Sequence, residues 1–287
     1  MKRPRLGVVI YTHDRVDDAR INQEVIRNIW RTPEFAETVI VHAYNGHQRW
    51  YPKRYLEDVL VRRPNPGHLA GASDLIDVGI RRLRRYRDIS HVVVLAGDAW
   101  CLDPRYIAKK ISAMRKQEKR LASAVWGTAK RQSMWDLGLA TQLFIFETAW
   151  AERYRLFPLD YAAFAKKYEE LLLYRSGSSV AAEKLLTTRL LQASYRERPV
   201  NVGRRDIAER HVLRLTECEP VHKNERWERY PYWPKIGFVT HHDPGPKRKI
   251  LKQRGVRPAG PAMKKLLTAK DLGYYNNGAR QHAVRVG

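Results

Sequence analysis

The first hundred residues alternate between short β-branched runs and longer stretches in which apolar residues recur at helical spacing. The β-branched runs predict four strands, at residues 6–11, 38–43, 59–62 and 91–96. The stretches between them predict helices over roughly residues 17–30 and 69–87. Strands that alternate with helices pair in a mostly parallel sheet with helices on both faces. The sequence therefore predicts an α/β fold with a Rossmann-like central sheet.

The rest of the chain is predicted to complete this domain and to add a C-terminal extension. Beyond residue 98 the pattern indicates a helix over residues 104–119, strands at 121–126, 142–147 and 236–240, and helices over 161–174 and 180–195. We predict one domain over residues 1–219 and a basic, aromatic-rich extension over residues 220–287. Residues 244–287 carry eleven Lys or Arg against the single acid Asp271, so we expect this tail to be ordered only in part.

The charge of the chain indicates a polyanionic partner. Lys and Arg number 54 against 30 Asp and Glu among 287 residues, which gives a formal net charge of +24. Nucleic acid and an anionic membrane surface both fit this charge. No run approaches the roughly 18 apolar residues that cross a bilayer, and the basic N-terminus leads into a strand rather than a signal peptide. With only Cys101 and Cys218, the chain has neither a disulfide framework nor a cysteine zinc site, so we expect a cytoplasmic protein.

The strand predicted at residues 91–96 ends in a turn of two small residues and an acid, Ala96-Gly97-Asp98. An aspartate at the carboxyl end of a buried strand is where nucleotide-handling α/β enzymes place metal or phosphate chemistry. Such turns also favour Gly and Asp for backbone reasons alone. A structural and a chemical role of Asp98 both remain open at this point.

Three blocks of the sequence, residues 8–15, 39–42 and 64–104, together resemble the nucleotide-sugar-binding half of a family 2-like glycosyltransferase of GT-A fold. The resemblance covers roughly residues 6–200. It implies a GT-A-like sheet, a nucleoside-diphosphate sugar as donor and a hydroxyl group as acceptor. In this family an Asp-x-Asp motif holds a divalent metal on the diphosphate. Here Ala96 replaces the first aspartate, so only Asp98 can reach a metal directly.

The resemblance also implies a set of site residues. Those expected to bind the nucleotide sugar are Thr12, Asp14, Arg15, Asn45, His68, Ala96, Gly97 and Asp98. A cap of the following helix is an alternative role for Asp14, and a simple turn is an alternative for Asn45. Mn²⁺ or Mg²⁺ would be held by Asp98 with His241 or His242, although a cluster of Lys and Arg can also neutralise a diphosphate.

The catalytic base implied by the resemblance is Glu183, which stands in the acid-containing helix of the family. A base must deprotonate the acceptor hydroxyl as it attacks the anomeric carbon. The alternative is a solvated charge on an amphipathic helix. Residues 126–138 occupy the region where the family builds its sugar and acceptor pocket, with core packing as the alternative role of their aromatic side chains.

The excess of positive charge predicts a large anionic acceptor, and a hydroxylated base in DNA, as in bacteriophage DNA modification, fits it. A phage enzyme of this kind would work in the host cytoplasm. The residues expected to contact nucleic acid are Arg81, Arg82, Arg84, Arg85, Lys247, Arg248, Lys249 and Lys252. Two alternatives are a peripheral-membrane glycosyltransferase acting on a lipid-linked or envelope glycan, and a nucleic-acid-binding protein that lost catalysis.

Overall fold

The computed structural model describes residues 3–125, 138–164, 166, 181–199, 210–218, 232–233, 235–240 and 244–272. The strands in chain order are β1 Arg5–Thr12, β2 Thr38–Tyr44, β3 Val59–Arg62, β4 Ile89–Ala96, β5 Ala99–Cys101, β6 Leu121–Val125, β7 Leu139–Glu147, β8 Val212–Arg214, β9 Tyr232–Trp233 and β10 Phe238–Thr240. The helices are α1 Val16–Asn28, α2 His68–Leu83, α3 Tyr106–Lys116, α4 Thr148–Arg153, α5 Ala181–Glu197, α6 Pro244–Gln253 and α7 Pro261–Thr268.

Seven of these strands form a central sheet in the order β3-β2-β1-β4-β7-β6-β8. Strands β3, β2, β1 and β4 run parallel to one another, β7 pairs antiparallel with both β4 and β6, and β8 pairs parallel with β6. The predicted α/β fold with a mostly parallel sheet is confirmed.

The two faces of the sheet bury different side chains because successive strand residues point to opposite sides. Val8 and Ile10 of β1 pack with α1 and α3, whereas Val9 packs with α2, α4 and α5. Helices therefore cover both faces, as the alternation of strands and helices predicts. Both faces of β4 are also apolar, which is typical of a strand in the centre of a parallel sheet.

A second, three-stranded antiparallel sheet in the order β5-β10-β9 joins residues 232–240 to the segment after β4. Helices α6 and α7 follow it and pack on α1, with Leu251, Met263 and Leu266 buried against Ile21 and Val25. The expected partly ordered tail thus contains two helices that belong to the hydrophobic interior. Among the helices of the described part, none is both long and apolar enough to cross a membrane.

Candidate functional site

The order of the parallel strands creates a crevice at the carboxyl edge of the sheet. From β1 the chain crosses to β2 and then to β3 on one side, and it returns to place β4 on the other side of β1. The direction of winding therefore reverses between β1 and β4. Ligands of open α/β sheets bind at this switch point, outside the carboxyl ends of the strands. The candidate site lies at this position.

The end of β1 contributes three of the residues expected to bind a nucleotide sugar. Thr12 is the last residue of β1 and is buried, and Asp14 and Arg15 occupy the turn into α1. Arg15 is the residue that precedes the first turn of α1, and its side chain makes no capping hydrogen bond to that turn. The alternative that Asp14 caps α1 is not what the structure shows, since Arg15 holds that position.

The end of β4 meets the end of β1 in close contact. The Gly97 N–H donates to the Tyr11 carbonyl over 2.9 Å, and a Cβ at position 97 would lie 2.7 Å from Thr12 Oγ1. Only glycine allows this approach without displacing Thr12. Asp98 then lies beside Arg15, with 3.6 Å between Asp98 Oδ2 and Arg15 Nε, and Asp14 Oδ1 lies 4.0 Å from the same nitrogen.

Polar side chains of α1 and α6 bind the backbone carbonyls of this turn. Asn22 of α1 donates to the carbonyls of Ala96 and Ala99 over 3.2 and 2.9 Å. Lys247 of α6 donates to the Asp98 carbonyl over 3.1 Å and to Asp18 Oδ1 over 2.8 Å, and its Nζ lies 4.2 Å from the centre of the Trp100 ring. These contacts fix the position of the Asp98 turn relative to α1.

The prediction that Lys247 contacts nucleic acid is therefore wrong. Its side chain has 0% exposure and is ion-paired with Asp18, which is 1% exposed. Sequence reasoning missed this role because a lysine in a basic run is usually solvated. The available signal was its spacing, since Lys247 and Leu251 lie four residues apart on the buried face of α6.

The ends of β2 and β3 close the other side of the crevice. Asn45 directly follows β2, and His13 Nδ1 lies 3.1 Å from its side-chain oxygen. The Asn45 amide donates to Asn65 Oδ1 over 3.5 Å, so three loops meet here. Burial, with a smaller contribution from the Asp14 carboxylate, raises the pKa of Tyr44 to about 12. The neutral Tyr44 hydroxyl donates to the His47 carbonyl.

Glu183 lies in the first turn of α5, on the face of the sheet that α2 also covers. Its carboxylate accepts a hydrogen bond from Thr141 Oγ1 over 3.0 Å. Continuing the pairing of Leu95 with Leu143 places Thr141 level with Gly97, at the carboxyl edge. Gly138 packs on the Glu183 backbone, where a Cβ would come within 2.7 Å. Glu183 is thus a buried carboxylate near this edge, and the alternative of a solvated charge is excluded by its 7% exposure.

Several predicted residues are not brought to the crevice, or are outside the described part. His68 begins α2, but its side chain is not described, and Ala96 is buried in the core. His241, His242 and residues 126–137 lie outside the described residues. Among the residues that are described, no three His, Cys, Asp or Glu side chains cluster as a metal site requires.

The residues expected to bind nucleic acid separate into two groups at opposite edges of the sheet. Arg81, Arg82, Arg84 and Arg85 lie at the end of α2, beside the start of β4 and therefore at the amino edge. Arg248 is half-buried and donates to the Ala269 carbonyl, while Lys249 and Lys252 are exposed on α6. Only the group on α6 lies on an element that contacts the Asp98 turn.

Two cavities of about 190 and 330 Å³ run along α2, away from the Asp98 turn. The larger one is lined by Asp77, whose pKa is raised to about 6 by burial. Its two carboxylate oxygens accept the N–H groups of Leu159 and Asp160 over 2.6 and 2.9 Å. These bonds attach the loop at residues 159–160 to α2. A structural role therefore explains the position of Asp77.

Comparison with known proteins gives weak likenesses of fold. No protein-family model and no curated protein sequence matches the chain. Solved structures similar to it include TarS of S. aureus, at 10% identity and a TM-score of 0.40 over 73% of this chain and 42% of TarS. An active-site mutant of LgtC is similar at 10% identity and a TM-score of 0.40, over 63% of this chain and 69% of that one. The chain thus matches less than half the length of TarS, and neither likeness bears on what it does.

Proposed function

We propose that the chain is a GT-A-like glycosyltransferase that moves a sugar from a nucleoside-diphosphate sugar to a hydroxyl group. The observation that carries this proposal is the convergence of Thr12, Asp14, Arg15, Asn45 and Asp98 at the switch point between β1 and β4. Groups of this kind bind ribose hydroxyls and phosphates, and parallel α/β sheets bind nucleotides at this position.

In the proposed reaction the acceptor oxygen attacks the anomeric carbon of the bound sugar. The bond from that carbon to the diphosphate oxygen breaks, and its electron pair leaves with the diphosphate. Glu183 is the proposed base that takes the proton of the acceptor hydroxyl, because it is a buried carboxylate held toward the same edge by Thr141.

A divalent metal is implied by the resemblance, but the described donor set does not fit one. Asp98 and Asp14 are the carboxylates available at the β1 and β4 ends, and Arg15 Nε lies within 4.0 Å of both. The Ala96 methyl group cannot bind a cation. No step of the proposed mechanism therefore passes through a metal ion.

For the acceptor we propose an anionic polymer, with DNA as the favoured case. The net charge of +24 supports it. So do the exposed basic side chains of α6 and α7, including Lys249, Lys252 and Lys264. The hydroxyl would have to reach the Asp98 turn from the side of these helices. The basic group at the end of α2 lies at the opposite edge and is not part of this proposed path.

The proposal is tested by incubating the protein with a panel of nucleoside-diphosphate sugars and measuring release of the nucleoside diphosphate. We expect hydrolysis or transfer with at least one donor, and a loss of roughly tenfold in Asp98→Asn, because Arg15 loses the carboxylate that holds it in place. This variant keeps the Asp98 carbonyl that Lys247 binds. Glu152→Gln is the matched control, because Glu152 pairs with exposed Arg84 at the end of α2, on the amino edge of the sheet. Unchanged turnover in Asp98→Asn, with a normal circular dichroism spectrum, would contradict the proposal.

A further inference from the structure

The positive charge beside Asp98 belongs to the protein itself. We infer that Arg15 and the N-terminus of α1 neutralise the donor diphosphate without a divalent metal, so that Arg15 takes the role of the cation. This inference rests on the proposed function of the same site. It goes beyond that function by assigning the charge chemistry to one side chain.

Arg15 lies close to both carboxylates at the ends of β1 and β4. Its Nε lies 3.6 Å from Asp98 Oδ2 and 4.0 Å from Asp14 Oδ1, so one side chain contacts both. A metal bridging these oxygens needs distances of about 2.0–2.6 Å to both. The positively charged guanidinium of Arg15 would have to move away to make room for such an ion.

The aspartates near the N-terminal end of α1 are paired with positive charges. Each of the four has a basic side chain within ion-pair distance. The pairs are Asp14 and Asp98 with Arg15, Asp17 with Arg20 and Lys265, and Asp18 with Lys247. Four acids thus face four bases. A hard divalent cation is held by carboxylate oxygens, and each of these four carboxylates already contacts a positively charged side chain.

A guanidinium and a helix N-terminus are both groups that bind phosphate oxygens. A guanidinium is a planar fork of five N–H donors, and it matches phosphate oxygens in pairs. The Arg15 side chain is 22% exposed, so it can reach a ligand in the crevice while it holds Asp98. The first N–H groups of a helix have no partner within the helix, and the 13-residue α1 directs its positive end to the same place.

The test is calorimetric binding of uridine, cytidine, guanosine and thymidine diphosphate, each in EDTA and in Mn²⁺. We expect the wild type to bind at least one of them with the same affinity in both conditions. Arg15→Gln should lose roughly tenfold or more in EDTA, and should regain part of it in Mn²⁺ because Asp14 and Asp98 are released. Arg15→Lys keeps the positive charge but lacks the planar guanidinium. Its affinity in EDTA should therefore lie between those of the wild type and Arg15→Gln. Arg84→Gln, which removes another carboxylate-paired arginine at the opposite edge of the sheet, should bind like the wild type.

Electron paramagnetic resonance of Mn²⁺ provides a readout that needs no nucleotide. We expect no bound Mn²⁺ in the wild type and a bound signal in Arg15→Gln. Binding by the wild type only in Mn²⁺, or wild-type affinity of Arg15→Gln in EDTA, would overturn the inference and leave the proposed function standing. If no nucleoside diphosphate binds the wild type in either condition, the proposed function itself is overturned.

Discussion

At the scale of single residues, the sequence identifies the groups that meet at the crevice more readily than the groups that hold them. Asp98 and Arg15 are predictable because each lies within three residues of the end of a clearly apolar strand, and parallel strands end at the same edge. Lys247 is not predictable from local pattern. Its burial depends on Asp18, 229 residues away in sequence, which supplies the opposite charge.

The burial of Lys247 leads to a prediction about stability. Replacing Lys247 with Met leaves Asp18 buried and uncompensated, which should lower the free energy of unfolding by roughly 3–5 kcal/mol. Urea denaturation measures this change. The control is Lys249→Met, an exposed position of the same helix, where we expect a change within about 0.5 kcal/mol. Adding Asp18→Asn to Lys247→Met should recover part of the loss, and equal stability of Lys247→Met and Lys249→Met would contradict the role given to this ion pair.

At the scale of elements, the sequence predicts most of the described helices and strands within a few residues. It misses helices α4, α6 and α7 and the short strands β5, β8 and β9. The apolar periods of α1 and α2 are long and are clear without tertiary context. Helices α6 and α7 are short, basic and bounded by Pro or Gly, so their buried residues become visible only against α1. Helix α7 even lacks a side-chain cap of its own at Gly260.

The cap of α7 comes instead from Glu24 of α1, which suggests a test of how the helix is held. Glu24 is buried and accepts the N–H groups of Ala262 and Met263 over 2.6 and 2.9 Å, and the Tyr55 hydroxyl as well. Glu24→Gln places an amide donor against these N–H groups, so we expect a loss of about 1–2 kcal/mol.

Hydrogen exchange of the α7 amides should show the same change locally, with faster exchange in Glu24→Gln than in the wild type. Glu37→Gln is the control, because Glu37 forms an exposed pair with Arg5 that contributes little. If the protection of the α7 amides were equal in Glu24→Gln and in the control, Glu24 would not be the cap.

At the scale of the whole molecule, the fold class follows from the alternation of strands and helices, but the distribution of charge does not. Composition gives +24 without saying which surface carries it. The exposed basic side chains of α6 and those at the end of α2 lie at opposite edges of the sheet. This separation is set by the direction of α2, which runs from the carboxyl edge back to the start of β4.

The separation predicts unequal effects of charge reversal on binding to duplex DNA. Changing Lys249 and Lys252 to Glu should weaken binding more than changing Arg81 and Arg85 to Glu, because only α6 adjoins the Asp98 turn. Affinity measured across salt concentrations should fall steeply, with a smaller slope in the α6 variant. Equal effects of the two variants would contradict the proposed acceptor path. A flat salt response together with binding to anionic vesicles would favour a membrane surface instead.

The contact between Lys247 and the turn after β4 has a consequence for how the protein is made. When the strands of the large sheet have been synthesised, the nascent chain contains Asp98. It does not yet contain Lys247, which binds the Asp98 carbonyl, or strand β10, which pairs with β5. Products of premature termination before this point would therefore carry the Asp98 turn without its support. On the proposed function, such fragments would be inactive, so that the ability to consume an activated sugar arises only after translation has passed α6.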